Sequence, residues 1–211
     1  EEDFKKMSEE LIKEVSQHSP QYKKIPRDQK LDGHLFFCCP SDLHIGKLCK
    51  SFVSGEEYDS QMAVLRALSG VNGCIDKAKG FPIDKVVFLL SGDLLHVDNL
   101  SNTTTKGTPQ DTDGLFSDNF IIETLVQLAD VHIMFTPGNH DHVSGWLMAQ
   151  VLQAHFRKNK NISWDISMQM RKYYKYHNNL ISSTHGDAVK WALLPMLMAD
   201  ESKDWSDTKY R

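Results

Sequence analysis

Residues 85–93 read KVVFLLSGD, and this stretch decides the fold. Lys85–Leu90 is a continuous apolar run, typical of a strand covered on both faces. It stops at Ser91-Gly92-Asp93, where a glycine precedes a carboxylate. The same grammar recurs along the chain. His34–Pro40 (HLFFCCP) is an apolar strand candidate that ends at SDLHIG, Val131–Phe135 ends at TPGNHD, and Leu180–Ser183 ends at THGD. A further short strand is expected at Ser163–Ile166. In α/β folds ligand sites collect at the carboxyl ends of the strands. Four separate strands are therefore expected to deliver their polar tips to one place.

Between the strands, helical spacing predicts a charged amphipathic helix over residues 3–17, placed outside the domain or against a protein partner. Helices are also predicted over 56–79, with a break around Gly70–Gly73, and over Phe116–Leu128, Trp146–Phe156 and Ala188–Ala199, the last interrupted or kinked at Pro195. Residues 19–32 read as a polar linker, which gives a division into an N-terminal helix and linker (1–32) and one domain (33–211). The turn-rich segment His96–Gly114 is long for a compact domain, and such loops are functional or disordered.

The 211 residues, 40% of them hydrophobic, suffice for one sizeable α/β domain. A net charge of -4 and a pI near 6.2 provide no global basic field for nucleic acid. A local basic groove, or bound cations, remain compatible with those values. No run approaches the roughly 18 apolar residues that span a bilayer. The alternating acids and bases of EEDFKKMSEELIKEV fit neither a signal nor a transit peptide, so a cytoplasmic location is expected. Cys38, Cys39, Cys49 and Cys74 lack zinc-type spacing, and Cys38 and Cys39 are expected as small buried hydrophobes in a reducing compartment. The N-x-S/T triplets at Asn99, Asn102 and Asn161 carry no expected function.

The strand tips hold the chemistry. In Asp42-x-His44 the i, i+2 spacing at a strand end is expected to put both side chains on one face, where they can share an ion. Asp93 follows Gly92, which lets the backbone turn and approach closely. Its carboxylate can bridge two ions. Asn139 offers a neutral carbonyl oxygen and His185 a ring nitrogen. These donors suit Mn, Fe and Zn. Taken singly, each element is an ordinary polar turn. Together, in this order, each after an apolar strand, they read as a metal site.

SDLHIG, SGDLLH, PGNHDH and THGD resemble the successive motifs of the calcineurin-like metallophosphoesterases over Leu35 to Gly186. The resemblance implies an α/β fold of four layers, two packed mixed β-sheets flanked by helices. It implies two divalent ions, with Mn first and Fe, Zn or Mg as alternatives. Asp42 and His44 would hold one ion, Asp93 would bridge, and Asn139 and His185 would hold the other. His140 would act on the leaving group, with Asp141 orienting its ring. The family closes its site with a downstream Gly-His-x-His, and no histidine follows His185 here. The expectation is a chain cut before that segment; the alternative is a degenerate site.

GDLLH, with His96 three residues after Asp93, is similar to the GD-x-x-H of double-strand-break repair nucleases, where the histidine faces the substrate phosphate. SDLHIG also resembles the phosphodiesterase motif of an archaeal polymerase small subunit. The wording around Asn99–Gly114 resembles uncharacterised bacteriophage phosphoesterases, for which the location would be the host cytoplasm. These resemblances imply a DNA or RNA phosphodiester as substrate. A phosphomonoesterase or protein phosphatase, and a non-catalytic accessory subunit, are the alternatives. Two further stretches stay open. Arg171–His177 (RKYYKYH) is expected as an amphipathic strand, the alternative being a stacking platform for single strands. Lys106 and His142 are either phosphate contacts or plain surface.

Overall fold

A computed structural model describes residues 2–28, 32–96, 120–187 and 189–211. The order is α1 (Glu2–Gln17), β1 (His34–Cys38), α2 (Ser51–Ser54), α3 (Ser60–Ala78), β2 (Ile83–Ser91), α4 (Phe120–Leu128), β3 (Asp130–Thr136), α5 (His142–Phe156), β4 (Ile162–Asp165), β5 (Arg171–Tyr176) and β6 (Asn179–Thr184). A 3-10 turn (Trp191–Leu193) and α6 (Leu194–Glu201) follow. The chain is therefore mixed α/β. Strands β1-β2-β3-β4 form a parallel sheet in sequential order, and β5-β6 form an antiparallel hairpin.

Sequential parallel order has a consequence. Right-handed crossovers between neighbours put every connecting helix on the same face of the sheet. The packing agrees. Val86, Phe88 and Leu90 of β2 join Val131, Ile133 and Phe135 of β3 in one core with Val71 of α3, Leu125 of α4 and Phe156 of α5. The alternate residues Val87, Leu89 and Met134 point the other way, where they pack with Leu35 and Phe37 of β1 and Tyr174 of the hairpin. A strand covered on both faces has no polar alternation, which is why β2 reads as an unbroken apolar run. Two sheets flanked by helices are thus present. Neither is mixed among the described residues: one is wholly parallel and the other is a hairpin.

Several local expectations change. Helix α3 runs unbroken through Gly70 and Gly73. Asp59 caps it by accepting from the Met62 amide at 2.7 Å. The buried spacing Ala63, Ala67, Val71 outweighs the roughly 1 kcal/mol that each glycine costs. Pro195 does not kink a helix; it sits in the first turn of α6, where its missing N–H is unneeded. Residues 97–119 and Ala188 lie outside the described residues, and with them Lys106, Asn99, Asn102 and the starts of two predicted helices. Cys38 is buried, and burial pushes its thiol up to about 12. Cys39 is exposed just past the end of β1, so the buried expectation fails for it. Asn161 is buried and structural: its side chain bonds Ile25 N–H and C=O and Asp130. Helix α1 packs on α5 and leaves Met7 and Leu11 exposed. No helix among the described residues is long and apolar enough to cross a membrane.

Within the stretch Arg171–His177 the strand covers Arg171–Tyr176, and its cations are already paired rather than open as a basic platform. Arg171 forks onto Glu201 of α6 at 2.8 and 3.0 Å. Lys172, wholly buried at its side chain, donates to Asp165 at 2.7 Å and to the Ser167 carbonyl at 2.9 Å. Lys175 faces Asp204 at 3.6 Å, and Tyr176 donates to Asp84 at 2.7 Å.

These pairings predict an acid sensitivity. Burial raises the Asp165 pKa, but the Lys172 and Ser167 hydrogen bonds outweigh it and hold the carboxyl below its usual value. A depressed carboxylate contributes stability above its unfolded pKa, near 3.9, and loses it as pH falls through the folded value. Wild type should therefore have the higher urea midpoint against Asp165→Asn at pH 6, with the gap narrowing as pH falls below about 4. A gap that does not change with pH would remove the charge from the account.

Candidate metal centre

The parallel strands all end at one edge, and the loops after them stay paired beyond the strands. Ser41 bridges Ser91 and Ile45 bridges Leu95. The His44 amide donates to the Asp93 carbonyl at 2.9 Å, the Ile45 amide to the Leu94 carbonyl at 2.8 Å, and the His96 amide to the Ile45 carbonyl at 3.0 Å. Gly92 N–H donates to the Thr136 carbonyl at 2.8 Å. These bonds bring the tips of β1, β2 and β3 together, and the end of β6 brings His185 to the same place.

Three residues there carry left-handed backbone: Asp42 (φ 54), His44 (φ 45) and Asp93 (φ 54). Among the described residues the one other non-glycine with positive φ is His177. Such conformations cost about 1–3 kcal/mol each and concentrate at functional sites. Glycines make the close approach possible. A Cβ on Gly92 would lie 2.6 Å from His185 Nδ1 and 2.7 Å from Gly138 Cα. A Cβ on Gly138 would fall onto Asp93 and 2.7 Å from Asp141 Oδ1.

Two groups of side chains at this edge can hold a metal ion. In one, Asp42, Asp93 and His185 place one ligand atom each within 4.8 Å of the others. His185 Nε2 lies 3.4 Å from Asp93 Oδ2 and 2.9 Å from Asn139 Oδ1. In the other, His44, His96 and His140 meet the same condition. His96 Nδ1 is 3.3 Å from His44 Nδ1, and the His44 and His140 rings lie 4.9 Å apart. Asp93 stands between the groups, with Oδ2 also 4.0 Å from His140 Nε2.

All eight residues singled out in the sequence thus converge, and the geometry bears on two of the expected arrangements. Asp42 and His44 fall in separate groups. The same-face rule holds for extended backbone and both residues are left-handed, yet both line one cavity and the Asp42 charge acts on His44. Asp141 does not orient His140. It is fully buried and accepts from the Asp93 amide (2.9 Å) and the Leu95 amide (3.0 Å). It therefore fixes the backbone turn that presents Asp93. Burial raises its pKa, partly offset by those backbone donors. The His140 ring is held instead by the His96 carbonyl, 2.8 Å from Nδ1. A carbonyl only accepts, so Nδ1 carries the hydrogen and Nε2 faces the site. The His140 amide donates to Asp93 Oδ1 at 2.9 Å.

Burial lowers the pKa of His44, and of His96 to about 4, aided for both by neighbouring rings. At neutral pH their ring nitrogens are available as donors. His142 is exposed at the start of α5.

Two cavities open beside this cluster and share Asp42. One, of about 730 Å³, takes in the charged and polar side chains of His44, Lys47, Tyr58 and Arg66. The other, of about 460 Å³, takes in His185, Phe37, Ile181, Trp191 and Met198. The sequence reading missed Lys47, Tyr58 and Arg66. They lie in a connection and in α3 with no motif of their own, and the antiparallel bridge between Cys49 and Tyr58, with the Tyr58 hydroxyl donating to the Leu43 carbonyl, brings that segment back to the site.

No protein-family model matches the chain, and no curated protein or solved structure is significantly similar to it.

Proposed function

We propose that the chain is a metal-dependent phosphoesterase that hydrolyses phosphodiesters, with nucleic acid as the substrate class. The observation that carries this reading is the meeting of Asp42, Asp93, Asn139 and His185 with His44, His96 and His140 at one sheet edge. The donor set fits divalent ions of the Mn, Fe and Zn type, and two of them, Mn first, are the proposed cofactor. Ions held there would polarise phosphate oxygens and lower the pKa of water toward neutrality.

The residues then divide the work. Asp93, buried between the two groups, presents its second oxygen to both. His185 and Asn139 orient each other across 2.9 Å. His140 has its tautomer fixed at Nδ1, so a proton gained on Nε2 is the one it can give to a departing alkoxide. The two cavities meeting at Asp42 leave room for two ester arms, which favours a diester over a monoester.

The test is Mn²⁺-dependent hydrolysis of bis(p-nitrophenyl) phosphate beside p-nitrophenyl phosphate. The expected result is diester cleavage that is lost in EDTA and restored by Mn²⁺. Cleavage of the monoester alone would move the reading to a phosphomonoesterase. No cleavage and no bound Mn²⁺ would leave a non-catalytic accessory role. His140→Gln should lower diester turnover about 10²–10⁴-fold with Mn²⁺ stoichiometry intact. Lost stoichiometry would make His140 a ligand of the three-histidine group instead.

A further inference from the structure

The second cavity has a chemistry that the metal groups do not explain. It runs from Asp42 and His185 between the sheet, β6 and α6, and its walls are largely apolar: Phe37, Ile181, Leu194, Met198, Trp191 and Trp205. Its volume of about 460 Å³ falls within the range of small-ligand sites, roughly 300–1,000 Å³. Such sites are apolar with a few placed polar groups, and here those groups are the donors of the candidate metal centre.

The two tryptophans differ in state. One face of Trp205 is covered by the Arg211 guanidinium, 4.2 Å from the ring centre. Trp191 is 80% exposed and stands at the wall without burial. An exposed indole beside a polar anchor presents an open aromatic face, and stacking on an aromatic ring is how bases are held without regard to sequence. The cavity on the other side of Asp42 has Tyr58 as the aromatic ring of its lining, and Arg66 already lies over that ring at 5.4 Å.

We infer that the apolar cleft receives the nucleobase next to the scissile phosphate, with Trp191 as its stacking platform. The inference rests on the phosphoesterase reading for the placement of the phosphate. It makes Trp191 a specificity residue for nucleoside esters over esters of small polar alcohols. It also assigns the second ester arm to the cavity lined by Lys47.

Equilibrium dialysis with Mn²⁺ present, using adenosine 5′-monophosphate and ribose 5-phosphate as probes, tests this directly, with the recovered ligand checked for an intact phosphate. Wild type should bind the nucleotide about tenfold more tightly than the sugar phosphate. Trp191→Ala should bring that ratio close to one. Trp191→Phe, which keeps a flat ring, should restore most of it. Trp191 is exposed, so both variants are expected to fold. Equal affinity for the two probes in wild type, or a preference that survives Trp191→Ala, would overturn the assignment. Nucleotide preference without diester cleavage would sink the hydrolase reading alone. Diester cleavage without base preference would sink the cleft assignment alone.

Discussion

Asp93→Asn should lose at least one equivalent of bound Mn²⁺ and lower diester turnover by at least about 10³-fold. The magnitude follows from the several kcal/mol of charge stabilisation that a metal supplies, at about 1.4 kcal/mol per tenfold. The substitution is chosen because it changes little else. Asparagine tolerates left-handed backbone, so the φ of 54° can persist. Its amide oxygen can still accept from the His140 amide, now 2.9 Å from Oδ1. What disappears is the charge and the oxygen that lies 3.4 Å from His185 Nε2. Metal stoichiometry by calorimetry and turnover on bis(p-nitrophenyl) phosphate are the two readouts, with thermal unfolding to show an intact fold. Full stoichiometry with full turnover would remove Asp93 from the centre of the site.

Asp141→Ala should destabilise the protein by about 2–6 kcal/mol, the largest stability effect anticipated here. The side chain is fully buried and each carboxylate oxygen takes one backbone donor, from Asp93 and from Leu95. Truncation leaves both amides buried without an acceptor, at about 1–3 kcal/mol each. Gly138 and Gly145 crowd the same carboxylate, so neighbours have little freedom to move in and replace it. Urea unfolding measures the loss, and Mn²⁺ affinity should fall with it because the Asp93 turn is released. The alternative suggested by the motif, that Asp141 orients the His140 ring, makes a different prediction: turnover falls while Mn²⁺ affinity stays at the wild-type value. The two measurements on one variant separate these roles.

The legible part of the fold was the part encoded by local chemistry. β2 and β3 announce themselves as unbroken apolar runs because helices cover one face and the hairpin the other. The tips after them announce themselves because Gly-Asp and Gly-Asn-His-Asp are turns with ligand-type side chains. Pro195 and the glycines of α3 misled, since their effect depends on position within the helix and on the face that packs, and neither is a property of the residue alone. RKYYKYH showed basic and aromatic character but not the carboxylates of Glu201, Asp165 and Asp204 that neutralise it, which lie 7 to 30 residues away in sequence.

By itself, the sequence determined which polar residues gather at the strand ends: Asp42, His44, Asp93, His96, Asn139, His140, Asp141 and His185 all reach one sheet edge. Tertiary structure alone decided how they are grouped. Asp42 and His44, neighbours in spacing, enter different sets of three close ligand atoms while lining one cavity, and hydrogen bonds across the loops make Asp141 the clamp of the Asp93 turn. Strand periodicity is local and survives in the sequence. The direction of a side chain at a turn is set by backbone dihedrals, and those are fixed by bonds between segments nearly 50 residues apart.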